Sequence, residues 1–158
     1  LDLVANAVEP WAQSVALRLG DGRDIAQEEA ATYDRVLVDA PCTGLGALRR
    51  RPEARWRKSP EDVEDLRVLQ LELLQAGFEA LRPGGALVYS TCSPVIAETR
   101  GVVESFLKSN PNAGPRDAGP IASGVAVREV GSHEGYIQLW PDLDQTDAMF
   151  IALIAKER

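Results

Sequence analysis

The sequence predicts an α/β fold, with a mostly parallel sheet closed on its C-terminal side by an antiparallel hairpin. Three observations carry this. Two short apolar runs rich in β-branched residues, Tyr33–Asp39 and residues 86–91, read as strands. A long amphipathic stretch lies between them, so a crossover helix joins strands that run the same way. Finally, residues 136–140 and 149–155 are two more strand-like runs with only eight residues between them, which suits a hairpin and not a crossover.

In chain order, residues 1–9 read as the tail of a helix stopped by Pro10. Residues 15–19, Val-Ala-Leu-Arg-Leu, are expected to form a strand. Gly20-Asp21-Gly22-Arg23-Asp24 then turns, either as a plain strand end or as a place where backbone approaches a ligand closely. Residues 26–32 are polar connection. After Asp39, residues 43–59 lack hydrophobic periodicity and should form a long surface loop. Ser59-Pro60-Glu61-Asp62 opens a helix: a hydroxyl N-cap, proline at the first helical position, acids in the first turn. Val63, Leu66, Leu69, Leu73, Ala76 and Ala80 follow at helical spacing, widened by Leu74 and Leu81, and Arg82-Pro83-Gly84-Gly85 stops the run. Arg100–Ser109 is a second helix with Val102, Val103, Phe106 and Leu107 inward. Residues 112–124, rich in Pro, Gly and Ala, read as loop, and 125–127 as a short strand.

The chain of 158 residues is enough for one domain with a true core. It holds 45% hydrophobic and 26% charged residues, has no apolar run long enough to span a membrane, and no signal peptide. Leu1 stands in what reads as mid-helix, so the chain is expected to be a piece of something longer. Its acidity, with net charge −7, and its two cysteines fit a cytoplasmic protein with free thiols. Charge is uneven, however. Six of the ten residues 49–58 are basic, with Glu53 the single acid, which localises a polyanion on an otherwise acidic body. Trp56 lies within this run, suited either to stacking on a nucleic-acid base or to anchoring the loop on the core.

Both cysteines, Cys42 and Cys92, fall just past the ends of the two organising strands. Ligands in open α/β sheets sit at the carboxyl ends of strands, so the pattern sends both thiols to one site. Ionised thiols are strong nucleophiles. The alternatives are a pair of small buried hydrophobes, or a thiol–imidazole dyad of Cys92 with His133, the sole histidine. Two thiols and one histidine do not match zinc spacing, so no metal is expected.

Asp39-Ala40-Pro41-Cys42-Thr43-Gly44, Arg49-Arg50-Arg51-Pro52 with Trp56, Arg82-Pro83-Gly84-Gly85 and Ser90-Thr91-Cys92-Ser93 resemble the Sun/Fmu family of RNA cytosine-C5 methyltransferases. The resemblance extends to Gly135–Trp140 and to Thr146-Asp147-Ala148-Met149-Phe150. It implies a Rossmann-like methyltransferase sheet using S-adenosylmethionine on RNA, with 16S ribosomal RNA as the expected substrate. Cys92 would be the nucleophile that adds to carbon 6 of cytosine. Cys42 would help release the product. Asp39 would sit at the cofactor and base edge, Asp21 at the cofactor's adenine, and Pro41 beside the cofactor. Arg49, Arg50, Arg51, Arg55, Trp56 and Arg57 would contact RNA. Glu98-Thr99 stands where the family has Glu-Asn. The other reading is an RNA-binding module derived from that fold without its activity.

The family's glycine-rich cofactor loop and ribose acid lie on strands expected before Leu1, so the sheet is expected to lack its first two strands. Three outcomes are open: strand 15–19 slides across to pair with Tyr33–Asp39, that bare edge pairs with a second copy of the chain as a homodimer, or the N-terminal segment is poorly ordered. One of the two pairings is expected, because the edge is too apolar to leave wet. The chain alone is then expected to be inactive and to bind S-adenosylmethionine poorly.

Overall fold

A computed structural model describes residues 2–126, 130 and 132–157. The elements run α1 Asp2–Val8, α2 Ile25–Glu28, β1 Tyr33–Asp39, α3 Pro60–Ala80, β2 Leu81–Thr91, α4 Arg100–Ser109, β3 Ala113–Arg116, α5 Gly119–Val125, β4 Ile137–Leu139, α6 Pro141–Asp144 and β5 Met149–Lys156. Tight 3-10 turns lie at Glu9–Trp11, Gly22–Asp24, Leu45–Ala47, Pro52–Trp56 and Ile96–Glu98.

The five strands of the described residues form one mixed sheet in the order β1-β2-β5-β3, with β4 also on β5. β1 and β2 are parallel, joined by α3 as the crossover. The remaining pairs are antiparallel. β4 and β3 share the outer edge of β5 end to end, pairing with residues 149–151 and 153–156 respectively. The expected mixture of parallel and antiparallel strands is present, with a larger antiparallel share. The reason is β3, in a segment whose Ala-Gly-Pro-Arg composition reads as loop. Proline is tolerated there because β3 is an edge strand. The next stretch, α5, is likewise helix where loop was expected. Val127 of the strand expected at 125–127 lies outside the described residues, and Val125 belongs to α5.

Helix α3 begins as its sequence dictates. The Ser59 side chain accepts from the Asp62 N–H, and Asp62 accepts from the Ser59 N–H at 2.8 Å, a reciprocal capping box. Its buried face is centred on Gln70, Leu74, Gly77 and Phe78, rotated by about one residue from the expected stripe. Gly77 explains the rotation. A Cβ there would meet Val38 at 3.0 Å and Leu87 at 3.2 Å, so the helix seats its glycine on the sheet to come closer. The core gathers Leu74 and Phe78 of α3, Val102, Val103 and Phe106 of α4, and the inward side chains Leu87, Tyr89, Phe150, Ala152 and Ile154 of β2 and β5. Phe78 and Phe106 meet edge to face, 5.1 Å between centroids. Lys156 closes the far end of α3, its ammonium donating to the carbonyls of Phe78, Glu79 and Leu81.

The strand expected at residues 15–19 does not form. Among the described residues the segment pairs with no strand, and Leu19 is 80% exposed. It does not slide across to β1, whose one sheet neighbour among the described residues is β2, and Leu37 is 68% exposed on that strand. The turn after residue 19 is instead held to α3. Arg23 reaches Glu72 at 2.8 Å, and Gly22 sits against Leu73. A cavity separates it from β1. Among the described residues no helix is long and apolar enough to cross a membrane.

The contrast between β2 and β1 is measurable. Leu87→Ala, at a site with no exposure, should cost about 2–5 kcal/mol in urea unfolding, whereas Leu37→Ala should stay within about 0.5 kcal/mol.

Candidate active site

The site grows from the register of the parallel pair. Asp39 lies opposite Ser90, and the Ala40 N–H continues the ladder onto the Ser90 carbonyl at 2.9 Å. Both chains therefore leave the sheet at the same carboxyl edge. Pro41-Cys42 leaves from β1 and Cys92-Ser93 from β2. The sulfurs of Cys42 and Cys92 stand 3.4 Å apart, both partly buried and both free. A disulfide bond is about 2.05 Å long, so this is a contact between thiols.

Two ties fix these loops to one another. The first is backbone. The Gly46 N–H donates to the Cys92 carbonyl at 3.0 Å, and the Gly46 carbonyl accepts from the Ala148 N–H at 2.9 Å. A Cβ on Gly46 would meet the Cys92 carbonyl oxygen at 2.7 Å, so only glycine fits. The second is the side chain of Glu98, fully buried. Its carboxylate accepts from the Thr43 N–H at 2.7 Å and the Thr43 hydroxyl at 2.6 Å on one loop, and from the Ser93 hydroxyl at 2.6 Å on the other. Gln70 of α3 donates to the Pro41 carbonyl at 2.8 Å and, at 3.4 Å, to Glu98.

The thiols open onto a cleft of about 660 Å³, in the range of small-ligand sites. Burial, and next the charge of Cys92, push the Cys42 thiol up to about 12, offset in part by a hydrogen bond from Gly44. Cys42 thus keeps its proton at neutral pH.

The basic run divides. Arg49 and Arg50 are both spent on Asp147, the Arg49 Nε at 2.7 Å and the Arg50 Nε at 2.8 Å. Arg50, then Arg49, hold the Asp147 carboxyl below the usual carboxylate range. Arg50 still reaches the cleft, and Arg51, Arg57 and Lys58 line it without an acid partner among the ion pairs of the described residues. Arg55 lies over the Trp56 ring, 4.8 Å from its centroid, and Trp56 is 80% exposed, so it does not anchor the loop on the core.

A second cavity, about 440 Å³, lies between β1 and the 20–25 turn. Gly20, Asp21 and Gly22 face Val38 and Asp39 across a floor that includes Ile25 and Leu73. An apolar floor with carboxylates at its rim fits a heterocycle with polar edges, such as the adenosine part of S-adenosylmethionine. Asp21 is already engaged. It caps the Gly22–Asp24 turn through the Arg23 N–H, and its ion pair with Arg23 draws its pKa down to about 2. Asp39 accepts from the Ser90 hydroxyl at 3.2 Å and lines both cavities, forming the wall between them. Pro41 lines the thiol cleft and not the Asp21 cavity.

His133 is not in the thiol cleft. It projects from a tight turn into a separate cavity, and Glu134 lies 3.9 Å from its Nδ1. The sequence reading missed Glu98, Gln70, Asp147 and Gly46 as parts of this site. The available signal for Glu98 was a lone acid set among Val95, Ile96 and Ala97 and flanked by the hydroxyls of Ser93 and Thr99.

Comparison with known proteins agrees with this architecture. The sequence profile of the 16S rRNA methyltransferase RsmB/F family matches residues 2–155. A candidate methyltransferase of Mycobacterium tuberculosis is 53% identical over 125 residues, covering 78% of this chain and 26% of the relative. The ribosomal RNA small subunit methyltransferase B of Salmonella paratyphi B is 37% identical over 120 residues, covering 75% of this chain and 28% of the relative. The chain thus spans about a quarter of the length of these relatives. Among solved structures, NSun6 of Pyrococcus horikoshii, crystallised with SFG, superposes with a TM-score of 0.78 at 25% identity, over 97% of this chain and 38% of that one. With nearly its whole length inside the family profile, this chain belongs to the 16S rRNA methyltransferase RsmB/F family.

Proposed function

We propose that this chain carries the thiol half of an active site that methylates carbon 5 of cytosine in RNA, with small-subunit ribosomal RNA as the substrate that the relatives' names favour. The observation that carries the reading is the pair of free sulfurs 3.4 Å apart on a cleft with a basic rim. The transfer is assigned to the intact protein and not to this chain alone.

Carbon 5 of cytosine is a poor nucleophile. The Cys92 thiolate adds to carbon 6, and the electron pair of the 5,6 double bond moves to carbon 5, which becomes enamine-like and accepts a methyl group. S-adenosylmethionine, when bound, supplies that methyl on a positively charged sulfur. Asp21 and Asp39 would hold its polar edges, with Asp39 also placed to accept from the exocyclic amine of the cytosine on the other side of the wall. A base then removes the carbon 5 proton, the double bond re-forms, the bond between sulfur and carbon 6 breaks, and Cys92 leaves as thiolate. Cys42 assists this last stage. Once Cys92 is a neutral thioether, one of the influences that hold the proton on Cys42 is gone, so its thiol ionises more readily when release needs a base. Arg51, Arg57 and Lys58 would neutralise phosphates at the rim, and the exposed face of Trp56 would stack on a neighbouring base.

Gel analysis of the intact protein with unmodified RNA and methyl donor tests the assignment. Cys92→Ala should abolish transfer and form no adduct, and Cys42→Ala should accumulate a covalent protein–RNA adduct. An adduct with the Cys92 variant alone would reverse the roles. Wild-type protein that binds RNA without any transfer would favour the non-catalytic module.

Alkylation of Cys42 against pH, followed by mass spectrometry, tests the electrostatics. In the wild type its rate should keep rising well beyond the ordinary thiol value near 8.5. In Cys92→Ala the rise should move to lower pH, yet stay above the ordinary value because burial is the larger cause.

The basic rim has a salt signature. Replacing Arg51 or Arg57 by alanine should lower the slope of log affinity against log salt by about 0.7 for each phosphate of single-stranded RNA that is no longer neutralised. Arg49→Ala should leave the slope unchanged, since that side chain is committed to Asp147.

A further inference from the structure

Glu98 is a buried carboxylate that the reaction as drawn does not use. Its side chain has no exposed surface, and burying a charged group is costly unless it is fully hydrogen-bonded. Its bonds are not scattered through the core. Thr43, which donates twice, is the residue after Cys42, and Ser93 is the residue after Cys92. Gln70, the remaining donor to the carboxylate, also holds the Pro41 carbonyl, just before Cys42. The Ser93 hydroxyl passes the constraint onward by accepting from the Val95 N–H at 3.1 Å. Glu98 is itself held from behind, where its carbonyl accepts from the buried Tyr89 hydroxyl at 2.8 Å.

We propose that Glu98 is a positioning residue whose carboxylate sets the gap between the Cys42 and Cys92 sulfurs by tying the two thiol loops together through Thr43 and Ser93. This rests on the two-thiol reading of the site. A carboxylate suits the task because two acceptor oxygens can each take two donors at once. One oxygen takes the Thr43 N–H and the Gln70 amide, and the other takes both hydroxyls. Glutamine, the same size, has one such oxygen. Placing its NH2 toward the hydroxyls forces them to accept where they donated, although the Ser93 oxygen already accepts from Val95. Aspartate is one methylene short of reaching both loops. Without this tie, the loops are joined among the described residues by the Gly46 N–H bond to the Cys92 carbonyl and by the contact of the sulfurs themselves.

The gap can be measured without any methyl transfer. In a glutathione redox buffer, the two thiols exchange with glutathione disulfide to give the Cys42–Cys92 disulfide and two molecules of glutathione. The equilibrium constant reports how closely the folded protein holds its sulfurs. Alkylation and mass spectrometry of the intact protein give the linked fraction. Glu98→Gln should lower this constant at least tenfold, and should lower kcat for methyl transfer while leaving KM for RNA within about twofold of wild type. Ser93→Ala and Thr43→Val, milder changes at the two ends of the tie, should each lower it by a smaller factor. The double variant Ser93→Ala/Glu98→Gln should be no worse than Glu98→Gln, as expected for residues acting as one unit. If Glu98→Gln does not fold, the two single-end variants decide. A folded Glu98→Gln, or folded end variants, with a wild-type constant would overturn the proposal and leave Glu98 as a core group only. A lowered constant with kcat unchanged would also overturn it, since a positioning residue must act on the reaction. Absence of methyl transfer in the wild type would instead count against the enzyme reading while the thiol equilibrium still reports on Glu98.

Discussion

The parallel pairing of β1 with β2 is the constraint on which the rest depends. Because Asp39 stands opposite Ser90, the two chains run out of sheet at the same edge and at the same height. A one-residue slip would turn every side chain of β1 to the other face and carry Cys42 away from Cys92. The pairing in turn relies on α3 for its crossover, and α3 can lie close only where Gly77 meets Val38 and Leu87. A packing detail in the last turn of a helix therefore decides whether two sulfurs meet some distance away.

Charge follows the same economy. The basic segment looks uniform as a string of letters, but its members do different work. Arg49 and Arg50 are tied down by Asp147, two residues before β5, which orients the segment, while Arg51, Arg57 and Lys58 face the cleft. Asp147 follows Thr146 in a stretch whose neighbour Ala148 also donates to Gly46. The loop that bears the arginines, the loop that bears Cys92 and the residues leading into β5 thus converge on one small region.

How much of this was legible in the residues varies with the range of the interaction. Local signals read well. The capping box at Ser59 and Asp62, the apolar faces of α4 and the short connection into β5 are each specified within a few positions of sequence, and each was found where expected. The convergence of Cys42 and Cys92 was also legible, because strand ends in a parallel pair fall at one edge. What could not be read were features set by distant partners. β3 carries a proline and a glycine and becomes a strand only because the outer edge of β5 offers it a ladder. Residues 15–19 have the composition of a strand but no neighbour here to pair with. Glu98 looks like any surface acid until the fold encloses it between Thr43 and Ser93.

The position of β5 bears on when the sheet can form. It follows the other four strands in sequence, yet it lies between β2 on one side and β3 and β4 on the other. No described strand except β1 can complete its pairing with β2 alone, and β3 and β4 have no ladder at all until residues 149–156 arrive. During synthesis the earlier elements must therefore wait, with the inward faces of β2 and α4 still wet, until those eight residues leave the ribosome. Closing a connection as long as residues 92–148, between β2 and β5, before any contact repays it slows folding. The assembly of the sheet is in this sense a late event, and β5 acts as its timekeeper.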